Sequence, residues 1–270
     1  MAPLDFSALT ELFGAPFLTG ALLSISLSIL GCFLRLRDEW LAALGLPHMA
    51  AAGGVLGMAL GMPVLAGSAL VTGAAAALKS LLPGGSNSHY ALMLILGWGA
   101  ALMLSANVHQ GSVIAEGLLR GQLYFSSHGH LYGALILLLA IMTGLKWLTR
   151  RLLTERFFPD HFPANGQARW PHGLIYQGCV VAAVVLGTQA MGAFPVFALL
   201  FIPPWVAFAF ARGWRQGMTV SVLLGLSVYT LAFLIAIGVD QPFGPTLTLM
   251  LAATSPLRLL APVIYRYRRS

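Results

Sequence analysis

The stretch LGLPHMAAAGGVLG, residues 44–57, places one histidine inside a run of small and apolar side chains. No other residue of the stretch carries an ionisable side chain. A helix of about 20 residues with this composition is long enough to cross the hydrocarbon core of a bilayer. The stretch therefore predicts a membrane-spanning helix with His48 in its apolar part.

The rest of the chain has the same character. Of its 270 residues, 58% are hydrophobic and 9% are charged, whereas soluble proteins carry about 25% charged residues. We predict an all-α, polytopic transmembrane helical bundle that forms a single domain over residues 1–270. Hydropathy predicts eight or nine spans, depending on whether residues 172–211 form one span or two. The nine spans are 17–34, 41–61, 64–82, 89–106, 131–149, 172–191, 193–211, 217–239 and 245–264.

The basic residues predict the orientation. If the N-terminus lies outside, Arg120 is the one cation in an outer segment, and Arg258 falls within the last span near its inner end. Such an excess of cations on the inner side is typical of membrane proteins, so the net charge of +7 does not indicate nucleic-acid binding. The inner cations are Arg35, Arg37, Lys79, Lys146, Arg150, Arg151, Arg156, Arg169, Arg212, Arg215, Arg266, Arg268 and Arg269.

Several common enzyme motifs are missing from the sequence. The chain has no Walker A motif, no HExxH and no GxSxG. It therefore cannot bind ATP through a P-loop, and uphill transport would draw its energy from a partner or from an ion gradient. The predicted spans contain few ionisable residues, which argues against a self-sufficient ion-coupled pump.

The second span predicts two different helix faces. Gly53, Gly57 and Gly61 recur every four residues, a pattern suited to close helix packing. Trp40 marks the inner interface, which puts His48 about 12 Å deeper at 1.5 Å per residue. His48 points roughly 140–180° away from the glycine stripe, so it faces protein or a cavity. It is either a packed histidine bonded to a neighbouring helix or a ligand for a transition metal.

Other polar residues are weaker candidates. Asp240 follows the eighth span on the outer side, and Asp160 lies in the inner segment 150–171; both are candidates for an ion path or gate. Three histidines, His109, His128 and His130, share the outer segment 107–130. They are either metal ligands or solvated loop residues.

Four motifs, taken in order, make the chain similar to a known family over residues 17–262. They are LPHMAAAGGVLG with His48, Gly53 and Gly57 in register, FFPDHFPANG after the fifth span, MGAFPVFALLFIPPWVAFAFARGWRQGM, and DQPFGPTLTL. The chain resembles the membrane permease subunits of ABC importers for zinc and manganese.

The resemblance implies a multi-pass subunit of a bacterial cytoplasmic (inner) membrane that is not itself an enzyme. It implies a second permease copy, cytoplasmic ABC ATPase subunits, and an extracytoplasmic metal-binding protein that hands over the ion. It implies no bound cofactor, only a transported divalent metal, with His48 as a transient ligand. The coupling element would be Phe210–Met218, with Arg212, Gly213, Trp214 and Arg215 facing the ATPase.

One departure from the family bears on the metal. The family has an acidic residue four positions before the histidine, whereas this chain has Leu44, and Pro47 takes the place of an alanine. Manganese prefers oxygen ligands, while zinc accepts imidazole, so we predict zinc ahead of manganese. A permease for a metal chelate or a cobalamin-like compound, and an ATP-independent secondary transporter, remain alternatives. An enzyme that combines His48 with Asp240 is disfavoured because the topology puts them near opposite faces.

Overall fold

The computed structural model describes residues 6–81, 86–109, 111–168 and 170–259. In these ranges the chain forms eleven α-helices and one 3-10 turn, Leu123–Phe125, with no strand. The helices are α1 Phe6–Leu36, α2 Ala42–Ala59, α3 Val64–Leu81, α4 Ser86–Asn107, α5 Gly111–Arg120, α6 His128–Phe157, α7 His161–Ala164, α8 Trp170–Met191, α9 Ala193–Phe210, α10 Trp214–Gly238 and α11 Phe243–Ala253.

The predicted polytopic helical bundle is confirmed. Seven described helices, namely α1, α2, α4, α6, α8, α9 and α10, are long and apolar enough to cross a membrane, and α3 is a shorter apolar helix. The predicted ninth span, 245–264, is interrupted, because α11 ends at Ala253 and a turn follows before residues 257–259. The last part of that prediction, 260–264, lies outside the described residues.

A single residue separates α8 from α9. Gly192 has φ +94, a conformation that residues with a side chain rarely adopt. An added Cβ there would lie 2.6 Å from the carbonyl carbon of Arg120, so the end of α5 packs directly on this link. Both reasons favour glycine at this position, and the predicted division of residues 172–211 into two helices is observed.

The outer segment 107–130 contains a helix that the hydropathy pattern does not predict. On α5, Gly111, Ala115 and Leu118 are buried at helical spacing. Ala115 and Leu118 form a small apolar cluster with Ala51 and Val55 of α2. This segment is therefore folded against the outer half of α2.

Glycine residues bring α2 and α3 into backbone contact. A Cβ added to Gly53 would lie 2.6 Å from the carbonyl oxygen of Gly67, and one added to Gly57 would lie 2.9 Å from the Cα atom of Gly67. The Ser68 hydroxyl, one residue on, donates a hydrogen bond of 2.7 Å to the Ala50 carbonyl. The helices can therefore approach closely enough for a polar contact between them.

Gly61 does not continue this stripe, so the prediction that it packs helices is wrong. It is exposed, and no atom lies within 4 Å of where its Cβ would be. The helix has already ended at Ala59, and Gly61 adopts φ +71. The Met62 N–H donates to the Gly57 carbonyl and the Gly61 N–H to the Met58 carbonyl, the pattern of a Schellman C-cap.

Charged contacts join three helices, α3, α6 and α8, to the α1–α2 turn at the inner end of the bundle. The buried Glu39 carboxylate, in the turn between α1 and α2, lies 2.8 Å from Lys79 Nζ at the end of α3 and 3.5 Å from Arg37 Nε. Arg37 also pairs with Glu155 of α6 at 3.2 Å, and Glu155 contacts His172 Nε2 of α8 at 3.2 Å. These contacts hold the inner ends of α3, α6 and α8 to the turn that follows α1.

We expect Gly67→Ala to destabilise the bundle, because the added methyl group would overlap the α2 backbone. Overpacking of this kind costs about 1–3 kcal/mol. Gly73→Ala is the matched control on the same helix, since nothing lies within 4 Å of its Cβ position and alanine favours a helix. Thermal unfolding of the purified chain in detergent measures the difference; equal melting temperatures would contradict the close contact.

We expect Glu39→Gln to lower the free energy of unfolding by about 3 kcal/mol, because it removes a buried carboxylate and leaves the partly buried Lys79 without its charge partner. The matched control is Glu116→Gln. Glu116 pairs with Arg120 at 2.8 Å, but both side chains are more than half exposed, so its loss should cost about 0.5 kcal/mol or less. Thermal unfolding of both variants checks this ranking, and a control as unstable as Glu39→Gln would refute it.

Candidate metal-ion path

His48 is held in one orientation by its own helix. Its side chain is 1% exposed, and its Nδ1 atom lies 2.8 Å from the Leu44 carbonyl oxygen. A carbonyl can only accept a hydrogen bond, so Nδ1 carries the hydrogen and the neutral ring has its lone pair on Nε2. Nε2 is buried and has no hydrogen-bond partner within the described structure. The arrangement leaves one nitrogen lone pair free to bind an ion.

Two aromatic side chains cover the imidazole. Trp98 of α4 stacks on it with ring centroids 5.3 Å apart, and Phe194 of α9 meets it edge to face at 5.9 Å. Trp98 is 41% exposed and Phe194 is 38% exposed, whereas His48 between them is buried. The two rings therefore separate the histidine from the exposed surface of the chain.

The position of Trp98 depends on the glycine that precedes it. A Cβ added to Gly97 would lie 2.6 Å from the carbonyl carbon of His48, so α4 contacts the α2 backbone at this point. Gly45, on the same side of α2, packs in the same way against the carbonyl of Tyr90. Close contact between α2 and α4 is what brings the indole onto the imidazole.

An aromatic stripe continues from this site along α9. Phe197, Phe201 and Trp205 follow Phe194 at helical spacing, with neighbouring ring centroids 5.7 and 6.1 Å apart. Toward the inner end, Phe201 meets Trp40, the residue predicted to mark the interface, at 6.4 Å. The stripe therefore leads from the histidine toward the end of the bundle that the basic residues predict to be cytoplasmic.

The stripe ends at a cavity of about 430 Å³ between α1, α2 and α9. Phe201 and Trp205 line it, together with two charged residues, Arg35 and Asp38. The sequence analysis missed Asp38 as a candidate because it lies in a turn between spans. Its positive φ of 58 is the structural sign that this turn is sharply bent.

Arg258, in the short helical stretch 257–259, packs against Trp205, which lines this cavity. Its guanidinium lies 4.3 Å from the Trp205 ring centroid and donates a 2.7 Å hydrogen bond to the Trp205 carbonyl. Such contacts satisfy a cation near the membrane interface. Arg258 therefore extends to the inner end of α9, in keeping with the predicted position.

The turn between α9 and α10 contains the residues expected to couple to an ATPase. Arg212, Gly213 and Arg215 are exposed, and the Arg212 N–H donates to Gln216 Oε1 at 3.0 Å. Trp214, the first residue of α10, is partly buried, with centroids 5.4 Å from Phe33 of α1 and 5.3 Å from Phe208 of α9. The turn thus presents two cations, and one indole anchors it to α1 and α9.

The two carboxylates proposed for the ion path lie apart from His48. Asp240 is exposed beyond the outer end of α10. Burial of the Tyr124 hydroxyl, and to a smaller extent the charge of Asp240, raises the pKa of Tyr124. Asp160 is exposed just before α7. Neither carboxylate is among the contacts of His48, which are with Leu44, Trp98 and Phe194. His48 and Asp240 therefore do not form a catalytic pair in this structure.

The outer histidines do not gather into a cluster. His109 and His128 are exposed, and His130 Nδ1 accepts a hydrogen bond of 3.3 Å from the Ser127 N–H at the start of α6. That bond forms a helix cap. Among the described residues, no group of three or more His, Cys, Asp or Glu side chains is placed to hold a metal ion.

Known proteins share both the sequence pattern and the fold. The ABC 3 transport family matches residues 10–260. The chelated iron transport system membrane protein YfeD of Yersinia pestis is 27% identical over 262 residues, which cover 92% of this chain and 86% of YfeD. PsaBC from Streptococcus pneumoniae, solved in complex with Fab, superposes with a TM-score of 0.80 at 17% identity, covering 95% of this chain and 94% of that one.

A second solved structure, an inward-facing conformation of a metal-chelate type ABC transporter, superposes with a TM-score of 0.72 at 17% identity, covering 96% of this chain and 91% of that one. At this identity the two superpositions show a common fold. The family match extends over nearly the whole chain and confirms the resemblance drawn from the four motifs. This multi-pass inner-membrane chain belongs to the ABC 3 transport family, as a permease of an ABC-type metal or metal-chelate importer.

Proposed function

We propose that this chain imports a divalent transition metal ion, zinc ahead of manganese. An extracytoplasmic binding protein delivers the ion, a separate cytoplasmic ATPase drives the cycle, and a second copy of the chain forms the other wall of the path. The observation that supports this most is the buried, unpartnered Nε2 atom of His48, next to two partly exposed aromatic rings. Leaving a buried polar atom unpaired is unfavourable by about 1–3 kcal/mol unless something binds there.

His48 would act as a transient ligand. The Leu44 carbonyl fixes the tautomer, so Nε2 needs no proton loss or ring rotation before it binds. A single imidazole from each permease copy is a sparse ligand set, and a transport site must bind weakly enough to release its ion. Movement of Trp98 or Phe194 would uncover the ring and admit or release the ion.

The inner cavity would receive the ion after release from His48. Asp38 provides an oxygen ligand there, and the aromatic stripe of α9 separates the two sites. The turn from Arg212 to Arg215 would follow the ATPase, with Trp214 transmitting its movement to α1 and α9 through Phe33 and Phe208. Asp240 and Asp160 are exposed at the two ends of the bundle, where they would act at entry or exit.

A metal chelate is the second candidate substrate. The cavity of about 430 Å³ is larger than a bare ion requires, and the stripe formed by Phe194, Phe197, Phe201 and Trp205 offers flat apolar contacts to an organic ligand. YfeD, whose name specifies chelated iron transport, is one of the relatives of this chain. Competition for uptake by the metal-free chelator would favour this candidate over the free ion.

We expect His48→Ala to reduce zinc uptake by about tenfold, because it removes the nitrogen ligand from the path. The measurement is uptake of radioactive zinc by cells that express the complete importer, with permease levels matched by immunoblotting. His128→Ala is the control, since this exposed outer histidine should leave uptake near the unmodified rate.

Two results would contradict the proposal. Unchanged uptake and unchanged metal preference in His48→Ala would remove the histidine from the path. Uptake that persists after deletion of the cytoplasmic ATPase would instead indicate a secondary transporter. The two results are independent, so they separate the role of His48 from the energy source.

We expect Leu44→Asp to raise manganese uptake relative to zinc by several-fold, because it adds an oxygen ligand one helical turn before His48 on the same face. The ratio is measured by uptake of the two radioactive metals in competition. Leu44→Asn is the matched control, with a similar size but no charge, and should shift the ratio less. An unchanged ratio in Leu44→Asp would show that the metal preference is determined elsewhere.

A further inference from the structure

A second cavity, of about 530 Å³, lies at the inner end of α6, away from the metal-ion path. It is formed by one face of α6 and by the segment 158–168, which folds back onto that face. Lys146, Arg150, Arg151 and His161 contribute basic side chains to its lining, and none of the described acidic side chains lines it. We call it the basic groove.

One side of the groove is held in place by contacts of Arg151, while two other cations, Lys146 and Arg150, form no ion pair within the described structure. Arg151 donates a 2.7 Å hydrogen bond to Gln167 Oε1 and lies over the rings of Phe162 and Trp147 at 5.4 and 6.0 Å. Phe162 is 1% exposed and anchors the folded-back segment. In contrast, Lys146 and Arg150 are exposed and take part in no ion pair within the described structure. Their charge is available to an anion.

The surface next to the groove is apolar and exposed. Leu135, Leu139 and Met142 precede Lys146 by eleven, seven and four residues, so they lie on the same side of α6. They are 41%, 55% and 41% exposed. Only 22% of the apolar window of α6 is buried within the chain, so the rest of the chain leaves most of this helix uncovered.

We propose that the basic groove binds the headgroup of an anionic phospholipid of the inner leaflet. The phosphate accepts hydrogen bonds from Lys146 and Arg150, and the acyl chains lie along Leu135, Leu139 and Met142. Cations beside a membrane-spanning helix on the cytoplasmic side attract anionic lipid. Trp147, which follows Lys146 and lines the groove, carries an indole ring of the kind that favours the headgroup region. A bound lipid would hold α6 and the segment 158–168 together.

Lipid binding to the full-length chain in an uncharged detergent tests this proposal. Native mass spectrometry counts bound phosphatidylglycerol and phosphatidylcholine over a concentration series. We expect phosphatidylglycerol to bind more tightly, and Lys146→Gln/Arg150→Gln to weaken it about tenfold or more through loss of both cations. Arg212→Gln/Arg215→Gln removes two inner cations outside the groove and should bind phosphatidylglycerol as the unmodified chain does.

The charge-conserving pair Lys146→Arg/Arg150→Lys should keep the binding, which shows that the loss in the glutamine pair is not due to misfolding. Equal binding of both lipids, or equal weakening by the Arg212/Arg215 pair, would overturn the proposal. Inorganic phosphate that displaces phosphatidylglycerol at similar concentration would indicate a free-anion site instead. If the Lys146→Gln/Arg150→Gln chain no longer copurifies with the ATPase subunit while its lipid binding is unchanged, the groove is a binding site for the ATPase and the proposal is overturned.

Discussion

Backbone contact on two sides of α2 is the constraint on which the site depends. Gly53 and Gly57 let α3 approach one side, and Gly45 and Gly97 let α4 approach the other. The helix that carries His48 is therefore held at short distance by both neighbours, and Trp98, next to Gly97, is carried onto the imidazole. Larger residues at these positions would move the helices apart and open the histidine to its surroundings.

The histidine illustrates how a membrane protein can keep a reactive polar atom in an apolar setting. Its helix satisfies one ring nitrogen through the Leu44 carbonyl, and the aromatic rings of Trp98 and Phe194 shield the other without bonding to it. The resemblance to zinc and manganese permeases implies an acidic side chain at the position where this chain has Leu44. Here the backbone of that residue orients the ring, so the imidazole would be the main ligand of the proposed site.

The basic residues of the inner end serve different purposes. Arg37 and Lys79 join helices through Glu39 and Glu155, while Arg212 and Arg215 are exposed on a turn anchored by Trp214. Those of the basic groove instead line a cavity without a carboxylate. The excess of cations on the inner side, which serves as a single signal for orientation at the sequence level, thus divides into structural pairs, an exposed turn and a basic cavity.

By itself, the sequence determined the membrane class, most span boundaries, the break at Gly192 and the burial of His48, because hydropathy, glycine spacing and charge are local properties of the chain. It also indicated the family through four ordered motifs. Only the tertiary structure decided that Gly61 caps α2, that α5 folds against Ala51 and Val55, and that Trp98 and Phe194 cover the histidine. Those contacts join residues far apart in the chain, and helical periodicity specifies which face is buried but not which helix covers it.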